Sequence, residues 1–197
     1  MDATHLTRTP KIRFKKYTVK EFLEFVKDKP ETERYELIGG SIYLMAAPNL
    51  NHQRLTRRIL YKLEDFLDGK PCEPFIAPFD VVLFEKDESS DNSQNLFQPD
   101  LFVVCDTEKI THQRINGAPD FIIEVVSPSN SEHDYYYKCN LYMQYGVREY
   151  WIVNPETKNV LVHINGEKIK THSYTFNDKI KANIFGDFEI DFKELQI

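Results

Sequence analysis

Two apolar, β-prone runs, residues 97–104 and 120–126, precede a helical stretch ending near Tyr145 and a third such run at residues 148–153. This order constrains the fold more than any other part of the chain. Strands joined through a helix long enough to cross over lie parallel, so the runs at 120–126 and 148–153 are expected as parallel neighbours in one sheet. Each of the first two runs carries an acid that does not belong in such a setting. Asp100 sits in Gln98-Pro99-Asp100-Leu101-Phe102-Val103-Val104, and Glu124 in Asp120-Phe121-Ile122-Ile123-Glu124-Val125-Val126. A carboxylate in a buried strand loses its hydration and needs a partner or a metal to compensate.

Around this centre the other elements follow from spacing and punctuation. Thr18 with Glu21 fits a capping box, and Val19, Phe22, Leu23 and Val26 recur at helical intervals, predicting a helix over 19–27. Gly39-Gly40 between Arg34-Tyr35-Glu36-Leu37-Ile38 and Ser41-Ile42-Tyr43-Leu44-Met45 predicts a hairpin. A second helix is expected over 51–67, with Leu55, Ile59, Leu63, Phe66 and Leu67 on one stripe. Its other faces carry Arg54, Arg57, Arg58 and Lys62, read as a solvated surface with a phosphate-facing patch as the alternative.

Residues 75–84 read as one strand interrupted by Asp80, 85–95 as an exposed acidic loop, and 106–118 as a loop or short helix. Ser129, Asn130 or Ser131 can cap the central helix, and Gly146 suits its C-terminal stop. Asn154-Pro155-Glu156-Thr157 is a turn. Asn165-Gly166, between residues 160–164 and 167–172, predicts a second hairpin with a type I′ turn. Short β pieces are expected around Tyr174 and Phe188. The whole indicates an α+β or mixed-sheet α/β domain with an N-terminal hairpin and a C-terminal hairpin. Residues 1–16 are read as a flexible basic arm and 17–197 as a single domain.

The 41% hydrophobic and 28% charged fractions exclude a disordered chain. No apolar run approaches the ~20 residues of a membrane span, and the N-terminus has no apolar core of a secretory signal, so a cytoplasmic location is expected. Cys72, Cys105 and Cys139 are odd in number and widely spaced, and are read as reduced thiols. A formal charge of -6 argues against an indiscriminate nucleic-acid coat while leaving room for a local basic groove.

Two inward carboxylates on neighbouring strands suit Mg²⁺ or Mn²⁺, which take hard oxygen ligands and keep several waters. A nearby lysine then stabilises charge that develops on a phosphoryl group. Such a set is suited to phosphodiester hydrolysis. Asp134, Lys138 and Tyr142 share one helical face, so Lys138 can reach the space beside Glu124 if that helix packs back on the strand it leaves.

Pro99-Asp100 followed by Glu124-Val125-Val126 resembles the PD-(D/E)xK nuclease signature. A longer ordered string is similar to the Uma-two family of restriction-endonuclease-like proteins. It comprises Tyr35-Glu36-Leu37-Ile38-Gly39-Gly40, Ala47-Pro48 with His52, Gln98-Pro99-Asp100-Leu101, Gly117-Ala118-Pro119-Asp120, Glu124-Val125-Val126-Ser127-Pro128-Ser129, and Asp134 with Lys138. It continues through Tyr142, Gly146-Val147-Arg148-Glu149-Tyr150-Trp151-Ile152-Val153 and Pro155, and covers residues 17–192.

The resemblance implies a restriction-endonuclease-like core, a mixed sheet flanked by helices, and a Mg²⁺- or Mn²⁺-dependent endonuclease acting on DNA as a homodimer. Asp100, Glu124 and the Val125 carbonyl are then the metal ligands. The usual lysine two residues after the glutamate is replaced by Val126, and Lys138 matches the position to which the lysine has migrated. Glu36 is an extra site acid or a surface salt-bridge partner, and His52 a phosphate or leaving-group contact or a residue at a helix start. Gln98 orients a site water or begins a strand, while Asp80, Asp120 and Asp134 are read as structural. Tyr135, Tyr136, Tyr137, Tyr142 and Tyr145 are expected in core or dimer packing rather than stacked on bases. The rival readings are an inactive DNA-binding or protein-interaction module of the same fold, and a metal-dependent hydrolase of RNA or a small phosphodiester.

Overall fold

The computed structural model describes residues 15–126 and 133–195. Most of the basic arm, the cap at Ser129, Asn130 or Ser131, and the Asp134 side chain lie outside the described residues. Helix α1 (Val19–Lys27) starts in the expected capping box: Thr18 Oγ1 accepts from the Glu21 N–H at 3.3 Å and Glu21 Oε2 accepts from the Thr18 N–H at 3.0 Å. Strands β1 (Tyr35–Ile38) and β2 (Ser41–Leu44) form the first hairpin, with Gly39 and Gly40 at φ 54° and 77°, left-handed values that glycine adopts without a Cβ penalty. Helix α2 (Leu50–Leu67) is capped by the Asn49 side chain and buries Leu55, Ile59, Leu63 and Leu67.

The runs at 75–84 and 97–104, read as single strands, each divide between two sheets. The first gives β3 (Glu73–Ile76) and β4 (Asp80–Val82), the second β5 (Leu96–Phe97) and β6 (Leu101–Val104). The physical reason is the proline in each run. Pro78 and Pro99 have no N–H for a ladder, so the chain turns there and passes to the other sheet. A 3₁₀ turn, Thr107–Lys109, and β7 (Arg114–Asn116) occupy the stretch left undecided as a loop or short helix.

Strand β8 (Phe121–Val125) leads to a π-helical segment, His133–Lys138, continued by α3 (Cys139–Gln144). Gly146, at φ 97°, follows its end as expected. Then come β9 (Glu149–Asn154), β10 (Asn159–Ile164), β11 (Lys170–Thr175), β12 (Lys179–Lys181) and β13 (Glu189–Asp191). The Asn154 side chain accepts from the N–H groups of Glu156 and Thr157, closing the predicted turn.

Five strands form one sheet in the order β2-β1-β5-β4-β7, and six form the other in the order β11-β10-β9-β8-β6-β3; β12 and β13 pair separately. Strands β8 and β9 are parallel neighbours, as the crossover argument required. The six-stranded sheet is covered on both faces, which explains its nearly continuous apolar strands. Leu101, Val103, Phe121, Ile123, Trp151 and Val153 pack with the stripe of α2. The alternate residues Phe102, Val104, Ile122, Val126, Tyr150 and Ile152 pack with Tyr142 and Met143 of α3 and with Val81, Phe97 and Ile115 of the smaller sheet.

Two further expectations fail. In the second hairpin Ile164 pairs with Lys170, so residues 165–169 form a longer loop and not a two-residue type I′ turn. Asn165 is engaged elsewhere, its side-chain amide donating to the carbonyls of Met143 and Val147 at 2.8 and 2.9 Å. The cysteines are not all thiols: Cys72 and Cys105 form a disulfide, and Cys139 is free and buried. These two flank β3 and β6, whose register pairs Glu73 with Val104, so residues 33 apart in sequence become cross-strand neighbours. Burial pushes the Cys139 thiol up to about 11.

Candidate active site

Strand alternation decides which way Glu124 points. Ile122, Glu124 and Val126 share the face toward α3, while Phe121, Ile123 and Val125 face α2. Val126, at the position where a lysine is usual, is therefore part of the apolar core beside Cys139 and Tyr142. The cation comes from the following helical segment. Lys138 Nζ lies 2.9 Å from Glu124 Oε1 and 3.0 Å from Glu36, and all three residues are buried.

The remaining contacts join Asp100 to this group. Its N–H donates to Glu124 Oε2 at 3.3 Å, and its Oδ2 accepts from the Val125 N–H at 2.8 Å. His52 Nε2 lies 3.0 Å from the same Oδ2, which suits a donating Nε2–H. His52 is set by the first turn of α2: the Asn49 side chain accepts from its N–H, and Thr56 Oγ1 donates to its carbonyl at 2.8 Å. Tyr142, one turn beyond Lys138, donates its hydroxyl to Glu124 Oε1 at 3.1 Å. Asp100, Glu124, Lys138, Glu36 and His52 thus line one pocket of about 250 Å³, together with Val125.

Glu36 is not the surface salt-bridge partner that remained open from sequence; it is buried on β1 and also accepts from the Gln98 N–H at 2.9 Å. The Gln98 side chain turns away from the pocket and donates to Asp80 Oδ1 at 2.8 Å. Burial is the main influence raising the Asp80 carboxyl above the usual range, against the lowering effects of Gln98 and Arg114. Asp120 is structural: its two oxygens accept from the Cys105 N–H and from Arg148. Of the tyrosines, Tyr136 and Tyr137 are exposed, and Tyr145 takes a hydrogen bond from Asn95.

Tyr142, expected in core or dimer packing, also bonds Glu124, and its spacing of four from Lys138 is the sequence signal for this. Arg34, which also lines the pocket, gave no signal beyond its place at a strand start. Among the described residues no group of three or more His, Cys, Asp or Glu side chains is arranged to hold a metal ion. The Asp100 and Glu124 carboxylates that line the pocket are hard oxygen donors of the kind Mg²⁺ or Mn²⁺ takes, ions that bind through few protein oxygens and retain waters.

Comparison with known proteins places this geometry in context. Residues 19–193 match the Uma2 family model, described as "Putative restriction endonuclease". The chain is 26% identical over 190 residues to "Uncharacterized protein slr1290" of Synechocystis, covering 94% of this chain and 95% of that protein. It is 28% identical over 127 residues to "Uncharacterized protein sll1609" of the same organism, covering 64% and 67%. A crystal structure described as a putative nuclease belonging to DUF820, from Anabaena variabilis, superposes with a TM-score of 0.72 at 17% identity, over 91% of this chain and 97% of that one.

Proposed function

The chain belongs to the Uma2 family of "Putative restriction endonuclease" proteins, and from this membership and the buried Asp100–Glu124–Lys138 cluster we propose that it is a Mg²⁺- or Mn²⁺-dependent endonuclease hydrolysing DNA phosphodiester bonds. One observation carries the reading: the Lys138 amine lies 2.9 Å from Glu124, in the pocket that Asp100 also lines, although the usual lysine position holds Val126. A nuclease-like fold with an apolar residue at that position needs its positive charge from another element, and here the helical segment supplies it.

Asp100, Glu124 and the Val125 carbonyl would hold the metal. When bound, the ion acidifies a water and neutralises charge on a phosphoryl oxygen. The chain's residues prepare the remainder. The Val125 N–H and His52 orient the Asp100 carboxylate through Oδ2, and Tyr142 orients Glu124 through Oε1. Lys138, held between Glu36 and Glu124, keeps an ammonium where charge develops during displacement at phosphorus. A double-strand cut by a single-site protein would use two copies, hence the proposed homodimer.

The test is cleavage of supercoiled plasmid with Mg²⁺, Mn²⁺ or EDTA. Asp100→Ala or Glu124→Ala should abolish metal-dependent cleavage while circular dichroism reports an intact fold; cleavage at the wild-type rate would sink the assignment. Parallel labelled RNA separates the DNA from the RNA reading. Calorimetric titration that detects neither ion would favour a non-catalytic module of the same fold.

A further inference from the structure

The pocket contains two side-chain cations in opposite circumstances. Lys138 is saturated between Glu36 and Glu124. Arg34 is half-buried and lines the same pocket, yet among the described residues its guanidinium has no hydrogen bond or ion pair. An arginine taken partly out of water without a partner forgoes charge-assisted bonds that guanidinium groups ordinarily make.

Its position is set by the hairpin. The Arg34 carbonyl accepts from the Met45 N–H at 2.8 Å, which extends the β1–β2 ladder by one residue pair. Alternation then puts Arg34, Glu36 and Ile38 on the pocket face and Leu37 in the apolar cluster behind. Glu36, the next residue on that face, is committed to Lys138 and to the Gln98 N–H. Among the described residues the arginine thus shares its pocket with acids that form no ion pair with it. The segment from β2 onward that lines the pocket, Tyr43, Leu44, Met45, Ala46, Ala47 and Pro48, brings no competing carboxylate.

We propose that Arg34 is an anion-binding residue that takes one phosphate of the bound nucleic-acid strand, through the planar two-pronged contact a guanidinium makes with phosphate oxygens. This rests on the nuclease reading for the identity of the ligand. Arg34 positions the strand at the mouth, while the cluster beneath it acts on the bond. A lysine retains the charge and loses the two-pronged geometry; a methionine loses both.

The measurement is fluorescence anisotropy of a labelled DNA duplex in EDTA, over a range of salt, with the full chain and its Arg34→Lys and Arg34→Met variants. Arg34→Met should weaken binding about tenfold and reduce the slope of log K against log salt by about one, the signature of a lost phosphate contact. Arg34→Lys should keep the slope and lose part of the affinity. Unchanged affinity and slope in Arg34→Met overturn the proposal. Should the wild-type chain bind no duplex, the nucleic-acid reading fails, and inorganic phosphate decides the anion site alone. A phosphate-dependent rise in Tm in wild type and Arg34→Lys but not in Arg34→Met supports it; no rise, or an equal rise in all three, overturns it. Arg34→Gln replaces Arg34→Met if the latter does not fold by circular dichroism.

Discussion

Glu124 and Glu149 are both buried glutamates on adjacent parallel strands of one sheet, and they face opposite sides of it. Glu149 is surrounded by neutral donors: Trp151 Nε1–H at 2.7 Å, the Asn183 side-chain amide at 3.4 Å and the Ile184 N–H at 3.1 Å. It ties the segment before β13 to the sheet and lines no described pocket. Glu124 instead meets an ammonium, a phenol and the backbone of a second acid, at the wall of an open cavity. Burial alone therefore does not separate the proposed site carboxylate from one that only holds the fold together. What distinguishes the two is the company of other ionisable groups and access to solvent-sized space.

Exchanging the two glutamates for their amides is the strongest way to break this contrast. Glu124→Gln should lower metal-dependent cleavage by on the order of 100-fold or more with Tm nearly unchanged, whereas Glu149→Gln should leave the rate per folded molecule intact. Equal losses of activity would erase the distinction. Lys138→Met strands Glu36 and Glu124 together without their cation. It should cost about 3–5 kcal/mol in urea unfolding and also remove activity. Val126→Lys combined with Lys138→Ala asks whether the two positions serve one site, since any recovered cleavage over Lys138→Ala alone means that they do.

Glu149→Ala, by contrast, leaves the Trp151 N–H without its acceptor in the core, for an expected loss of about 1–3 kcal/mol. The smallest effect concerns a buried base outside both clusters. His163 is stacked on Tyr150 and hydrogen-bonded to Thr171. Its burial lowers its pKa below the ordinary 6.5. The unfolded chain then takes up the proton first, so this residue's contribution is present above pH 6.5 and is lost as pH falls through the lowered folded value. Thermal melts between pH 7.5 and 5 should show a shallower decline for His163→Phe than for the wild-type chain.

Locally encoded features were readable from the residues in order. The capping box of α1, the Gly39-Gly40 turn, the apolar stripe of α2 and the parallel pairing of β8 with β9 depend on contacts near in sequence or on a crossover length. Where reading failed, a distant group had intervened. Pro78 and Pro99 sat inside runs whose hydrophobicity looked unbroken, and only the two-sheet arrangement gave each half a separate partner. Asn165 looked like a turn residue until the end of α3 claimed its side-chain amide. Glu36 was legible only as one of two alternatives, and Tyr142 only as a neighbour of Lys138 on its helix, because the groups they meet come from other elements.

By itself the sequence determined that acids at 100 and 124 stood in strands needing compensation, and that Lys138 and Tyr142 shared a helical face. Period-two alternation and helical spacing are properties of the backbone, so these statements required no knowledge of what lay opposite. Only the tertiary structure decided that Lys138 meets Glu36, 102 residues away, as well as Glu124. It also decided that Glu149 is answered by neutral N–H groups and that, among the described residues, Arg34 has no side-chain partner. Such outcomes follow from which surfaces the sheets and helices bury together, and that competition among distant segments leaves no periodic trace along the chain.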